Sequence, residues 1–133
     1  MRIGAAALVA VVLCVWAPPE GRAQMPFGVP AVAASTDGPT LFARQCGACH
    51  VATMDGSPHQ GPTLFGVFGR KAGSVAGFAY SPNYASSGIV WDDTTLDRYL
   101  TNPQATIEGS VMAYRQADAE IRHTIIAWLK EQK

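Results

Sequence analysis

The chain opens with an unbroken apolar run, Ile3 to Trp16, behind a basic Arg2. After it the hydrophobic positions fall on a helical period in only three stretches. Asp37 is placed to cap a short helix that runs through Leu41, Phe42 and Gln45 into Cys46. A second helix is predicted from Asp92. Trp91 before it and Leu96 within it form a hydrophobic staple, Leu96, Tyr99 and Leu100 make the inner face, and Pro103 is the stop. A third begins near Asp118, where Ile121, Ile125, Trp128 and Leu129 follow i, i+4, i+7, i+8 spacing. Its acidic start, Asp118 and Glu120, and basic end, Lys130 and Lys133, suit the helix dipole. Between the first two helices, Ala52 to Gly88 has no period and is punctuated by Gly61-Pro62, Gly66, Gly69, Gly73, Gly77 and Gly88. No strand is predicted. The expected fold is all-α, three to five helices with long loops. Such loops are uncommon in a small domain unless they fold onto something.

The N-terminal run reads as an export signal. It is about 14 residues, short of the ~20 that a spanning helix needs. Polar residues follow it, and Ala23, with Gly21 two positions before, offers small residues for cleavage. Leu13 before Cys14 argues against a lipoprotein signal. The expected organisation is therefore a cleaved signal over 1–23, a flexible Pro- and Ala-rich leader over 24–36, and one domain over 37–133. Without the signal, eight of the ten basic and nine of the ten acidic side chains remain. That balance leaves no basic field for nucleic acid and no polybasic patch for a membrane surface. Export implies an oxidising compartment.

After cleavage only Cys46 and Cys49 remain of the three cysteines. A disulfide between them would close a tiny loop and stabilise almost nothing. A zinc site lacks ligands, since only His50, His59 and His123 could join them. A redox pair wants a preceding strand in a βαβ unit, and none is predicted. Cys46-Gly47-Ala48-Cys49-His50 is instead the signature of covalent haem attachment. Two cysteines three apart share one side of a helical turn, so both sulfurs reach the vinyl groups of one porphyrin. His50 then lies under the ring as an iron ligand. The other face of the iron decides function: an open site suits gas or peroxide chemistry, a filled one electron transfer. Met25, Met54, Met112, His59 and His123 are the candidates. Met54 belongs to the attachment side, Met25 to the leader, His59 to a solvated loop and His123 to a helix surface. Position favours Met112, about 60 residues on, without excluding an ordinary core methionine.

The segments "CGACH", "GPTLFGVFGRKAG", "GFAYS", "GIVW", "LDRYLTNP" and "VMAY" occur in the order and spacing of a known family. From Gly38 onward the chain resembles a class I cytochrome c of the mitochondrial and bacterial c2 type. The resemblance implies a small monohaem fold wrapped around one haem c, bonded to Cys46 and Cys49 and ligated by His50 and Met112. It implies that the Pro62 carbonyl orients the His50 ring. Arg70, Tyr80 and Trp91 would hold a buried propionate, with Ser110 near it. Tyr99 would lie beside the methionine sulfur. Gly38, Phe42 and Trp128 match the crossing of the first and last helices.

This chain departs from the family pattern in places. Glu108-Gly109 stands where proline often precedes glycine, and Val111 where a lysine often precedes the methionine. Tyr84 replaces a frequent asparagine and Tyr114 a frequent phenylalanine. The docking ring of lysines is missing. The function expected is a soluble periplasmic electron carrier, a monomer with transient redox partners and more apolar than steered docking. An enzyme or gas sensor with a labile Met112, or the electron-accepting subunit of a dehydrogenase, are the competing readings.

Overall fold

The computed structural model describes residues 36–54 and 59–133. The export signal, Cys14, Met25 and all of the leader but Thr36 lie outside the described residues. Each predicted cap sits where the sequence puts it. Helix α1, Gly38–Gln45, begins at Asp37, whose carboxylate accepts the Thr40 N–H at 2.8 Å. Its turns continue past the last helical residue: Cys46 N–H donates to Phe42 O, and His50 N–H to Cys46 O at 2.9 Å. The C-x-x-C-H segment is thus wound as turns, which fixes where its side chains emerge.

Helix α2, Asn83–Ser86, is one short turn that the sequence reading missed, inside the glycine-rich stretch. Helix α3, Asp93–Thr101, starts from a capping box. Asp92 accepts the Thr95 N–H at 2.7 Å and the Thr95 hydroxyl accepts the Asp92 N–H at 2.8 Å. Trp91 and Leu96 are both buried. Pro103 ends α3 as expected and then opens a further turn, α4, Pro103–Thr106. Proline is well suited to that first position, where its missing N–H would have no helical partner. Asn102 caps the new turn through Ala105 N–H.

Helix α5, Ala119–Glu131, is capped by Asp118. Ile125, Ile126 and Leu129 are buried, while Ile121 and Trp128 are half-buried. α5 crosses α1 with Phe42 and Trp128 ring centroids 4.7 Å apart. It joins α3 through Arg122, which donates to Asp97 at 2.7 Å and also to the carbonyls of Gln116 and Ala117. A buried guanidinium needs several acceptors, and this one has three.

No strand forms among the described residues. A single antiparallel bridge, Lys71 to Val90, ties the loop region to the entrance of α3. Gly66 N–H to Gln132 O and Leu64 N–H to Val51 O anchor the same loop at 2.7 Å each. The fold is all-α, as the periodicity indicates. The loops form a wall whose inner side faces a cavity.

Candidate functional site

The cavity measures about 450 Å³, within the roughly 300–1,000 Å³ of sites that enclose a small-molecule cofactor. Its wall is mostly apolar. Leu96, Tyr99 and Leu100 of α3 and Ile125 and Leu129 of α5 supply one part. The loops supply the rest. Cys46, Cys49, His50, Pro62, Arg70, Tyr80, Trp91, Tyr99 and Met112 all line it. Of the residues that the resemblance assigns to the haem, Ser110 alone does not; its hydroxyl is engaged by two tyrosines instead.

Both cysteines are free thiols. Burial pushes the Cys46 thiol up to about 11, with the neighbouring Cys49 adding to the rise. A redox cysteine reacts as the thiolate, so burial of Cys46 disfavours that role. The Cys49 thiol points toward Gln60 Oε1 at 3.7 Å. His50 Nδ1 lies 2.8 Å from Pro62 O, which makes Nδ1 the protonated nitrogen and leaves Nε2 as a lone-pair donor. Burial lowers the basicity of this ring, partly offset by the Pro62 carbonyl, so it stays neutral. Gly61 is pressed against the same ring. A Cβ there would lie 2.2 Å from His50 Cε1. The imidazole is therefore held edge and face by Gly61-Pro62.

Met112 is half-buried and packs against the core. Its carbonyl accepts Gln104 Nε2 at 2.5 Å, and Arg115 Nη2 braces Gln104 Oε1 at 2.8 Å. Arg70 spends two N–H groups on the carbonyls of Phe65 and Thr63, at 2.8 and 2.7 Å. Burial lowers its pKa and raises that of Tyr80. Among the described residues, Arg70 and His50 are the wall side chains able to carry positive charge. Trp91 packs edge-on against Tyr99, centroids 4.9 Å apart. Burial pushes the Tyr99 hydroxyl well above the usual phenol range.

The other candidate ligands among the described residues lie elsewhere. His59 and His123 are exposed, and Met54 is 80% exposed. Two contributors escaped sequence reasoning, and a third, Tyr84, was marked only as a departure from the family pattern. Gly61 is legible only as half of a Gly-Pro turn. Gln104 follows a proline taken as a stop. Tyr84 joins Ser110 and Tyr99 across 26 and 15 residues, a pairing with no local signal.

A covalent haem fits these residues. The cavity is apolar, two thiols sit on one turn, a neutral imidazole is fixed by its far nitrogen, and a thioether comes from another segment. A cytochrome c family model matches residues 35–133. The chain belongs to the cytochrome c family. It is 43% identical over 116 residues to a cytochrome c of Theileria annulata, covering 86% of this chain and 96% of that one. It is 42% identical over 95 residues to a cytochrome c of Gibberella zeae, covering 71% and 90%. It is 42% identical over 96 residues to cytochrome c2 iso-2 of Magnetospirillum fulvum, covering 71% and 97%. The cytochrome thus carries one covalent haem c held through two cysteines, and it transfers electrons rather than catalysing a reaction.

Proposed function

We propose that this cytochrome is a soluble, exported, periplasmic electron carrier whose haem is attached at Cys46 and Cys49 and whose iron is held by His50 and Met112. The observation that carries the reading is the meeting of these four side chains in one cavity, with the His50 ring fixed by Pro62 O at 2.8 Å. The haem supplies a one-electron couple between ferrous and ferric iron. The protein's part is to bind, orient and exclude water. His50 is pre-set as a neutral donor with its second nitrogen committed, the kind of outer bond that orients a metal ligand and raises its basicity. The Met112 thioether is a soft donor and favours the ferrous state. The apolar wall disfavours the added ferric charge in the same direction. Arg70, Tyr80 and Trp91 line the wall as donors for a carboxylate taken out of water.

Export is supported by the apolar run behind Arg2 and by a bacterial c2 relative. No helix among the described residues is long and apolar enough to cross a membrane. Partners are transient redox proteins. Of three lysines in the chain, Lys130 is committed to Asp93 at 3.0 Å and to the Phe68 ring. Val111, beside the cavity, is 85% exposed, and its neighbours Met112, Ala113 and Tyr114 are uncharged. Docking there is apolar, so reduction by the physiological partner should change little with ionic strength; a steep fall would contradict it.

The visible spectrum of the holoprotein tests the ligand set. A weak long-wavelength sulfur-to-iron band in the ferric form, and a ferrous spectrum indifferent to carbon monoxide, are expected. Absence of the band with rapid carbon monoxide binding would overturn Met112 ligation and favour a sensor or enzyme.

A further inference from the structure

The loop that presents Met112 runs from Ile107 to Tyr114 and has no proline after α4 to stiffen it. Gly109 within it takes a left-handed turn, φ +76°. Something else must hold it, and short helix α2 reaches it twice. Asn83 Nδ2 donates to Glu108 O at 2.9 Å. The next residue, Tyr84, carries its hydroxyl to 2.7 Å from Ser110 Oγ and 2.5 Å from the Tyr99 hydroxyl. Ser110 Oγ and the Tyr99 hydroxyl lie 3.1 Å apart, which closes a triangle. A hydroxyl has one proton and two acceptor sites, so three can form a ring in which each donates once and accepts once. All three residues are buried. Bonds of this kind reinforce one another in a poorly polarisable interior.

We propose that Tyr84 is a positioning residue that clamps the Met112 loop: its hydroxyl joins Ser110, two residues before Met112, to Tyr99 on the rigid α3. The assignment rests on the reading that Met112 holds the second axial position. Three hydroxyls from three segments meet at the one buried polar side chain of that loop. Remove the Tyr84 hydroxyl and Ser110 keeps only the longest of the triangle's contacts. The loop then opens more often, and each opening releases the thioether. The Tyr84 ring has its own packing, with centroids 5.3 Å from Tyr80 and 6.3 Å from Tyr99. Tyr84→Phe keeps that packing and deletes only the oxygen.

The test is imidazole titration of the ferric holoprotein, which reads the open population because imidazole enters only when Met112 leaves. Losing one buried hydrogen bond should raise the apparent imidazole affinity about tenfold in Tyr84→Phe. Ser110→Ala should do the same from the other side. Because both act through one triangle, the double variant should fall well short of the two effects added. Amide exchange at Val111 to Tyr114 should quicken by the same factor. Unchanged affinity and exchange in Tyr84→Phe, or strictly additive effects, would overturn the clamp. A wild-type ferric spectrum with no sulfur-to-iron band would remove Met112 as ligand, and the proposal with it, whatever exchange shows.

Discussion

Gly38 and Gly61 are both pressed against an aromatic ring, and they do different things. Gly38 opens α1 and lets it touch α5; a Cβ there would stand 2.3 Å from Trp128 Cβ and 3.2 Å from the Thr124 carbonyl oxygen. Gly61 lies in the loop wall, and its missing Cβ leaves room for the imidazole of His50. The first glycine fits helix to helix, where side chains pack on one another. The second fits loop to ring, where the packing partner is the imidazole that we propose binds iron. The helical frame holds itself together through Phe42 and Trp128, through Arg122 and Asp97, and through the buried face of α5. The loop wall has little core of its own and is completed by what it encloses.

The largest effect should come from the loop side. Gly61→Ala forces the His50 ring to move, since the ring is the flexible neighbour and the glycine is already tied by its N–H to Cys49 O at 2.8 Å. Movement breaks the bond from Nδ1 to Pro62 O. Loss of such an orienting contact typically weakens ligation about 10–100-fold. The cysteines are untouched, so haem should still attach. The ferric spectrum should show a high-spin fraction that wild type lacks. A fully low-spin spectrum identical to wild type would show that Gly61 is only a turn.

Gly38→Ala should do the reverse. The intruding Cβ meets Trp128 at its own Cβ, which cannot swing aside. The helix crossing must open, an overpacking that costs about 1–3 kcal/mol. Denaturant midpoint should fall with the slope unchanged, while the visible spectrum stays as it was. If Gly38→Ala disturbs the spectrum as much as Gly61→Ala does, frame and wall are one cooperative unit and the contrast fails.

The same division explains what could be read from the sequence. Asp37, Asp92 and Asp118 announce their helices because a cap bonds within two or three residues, inside the reach of local pattern. C-x-x-C-H was legible because its chemistry is contiguous. Pro103 was half legible: it ends α3, but the turn that it begins depends on Asn102 as a cap. α2 was invisible, since four residues carry no period and Tyr84 earns its place from Ser110 and Tyr99, far along the chain. Likewise Ser110 sits behind the wall rather than in it, because its hydroxyl is turned to those two tyrosines. Local bonds write themselves into sequence; contacts between distant loops do not.

The smallest effect belongs to the frame and is a pH dependence. The Asp92 carboxylate accepts from the Thr95 N–H and hydroxyl, and those bonds hold it below the usual carboxylate range. Its native pKa is therefore depressed relative to the unfolded chain. Such a group contributes stability above its unfolded value and loses it as pH falls through the native one. Asp92→Asn keeps an acceptor at the cap, since asparagine caps helices about as well, but it removes the charge. The variant should be slightly less stable at about pH 7, and the gap should begin to shrink near about pH 4, the ordinary aspartate range, and vanish only as pH falls through the lower native value. The haem spectrum at neutral pH should not respond, because the cap is exposed at the far end of α3 from the Met112 loop's anchor at Tyr99. A gap that persists unchanged in acid would mean that the cap acts through its shape and not through its charge.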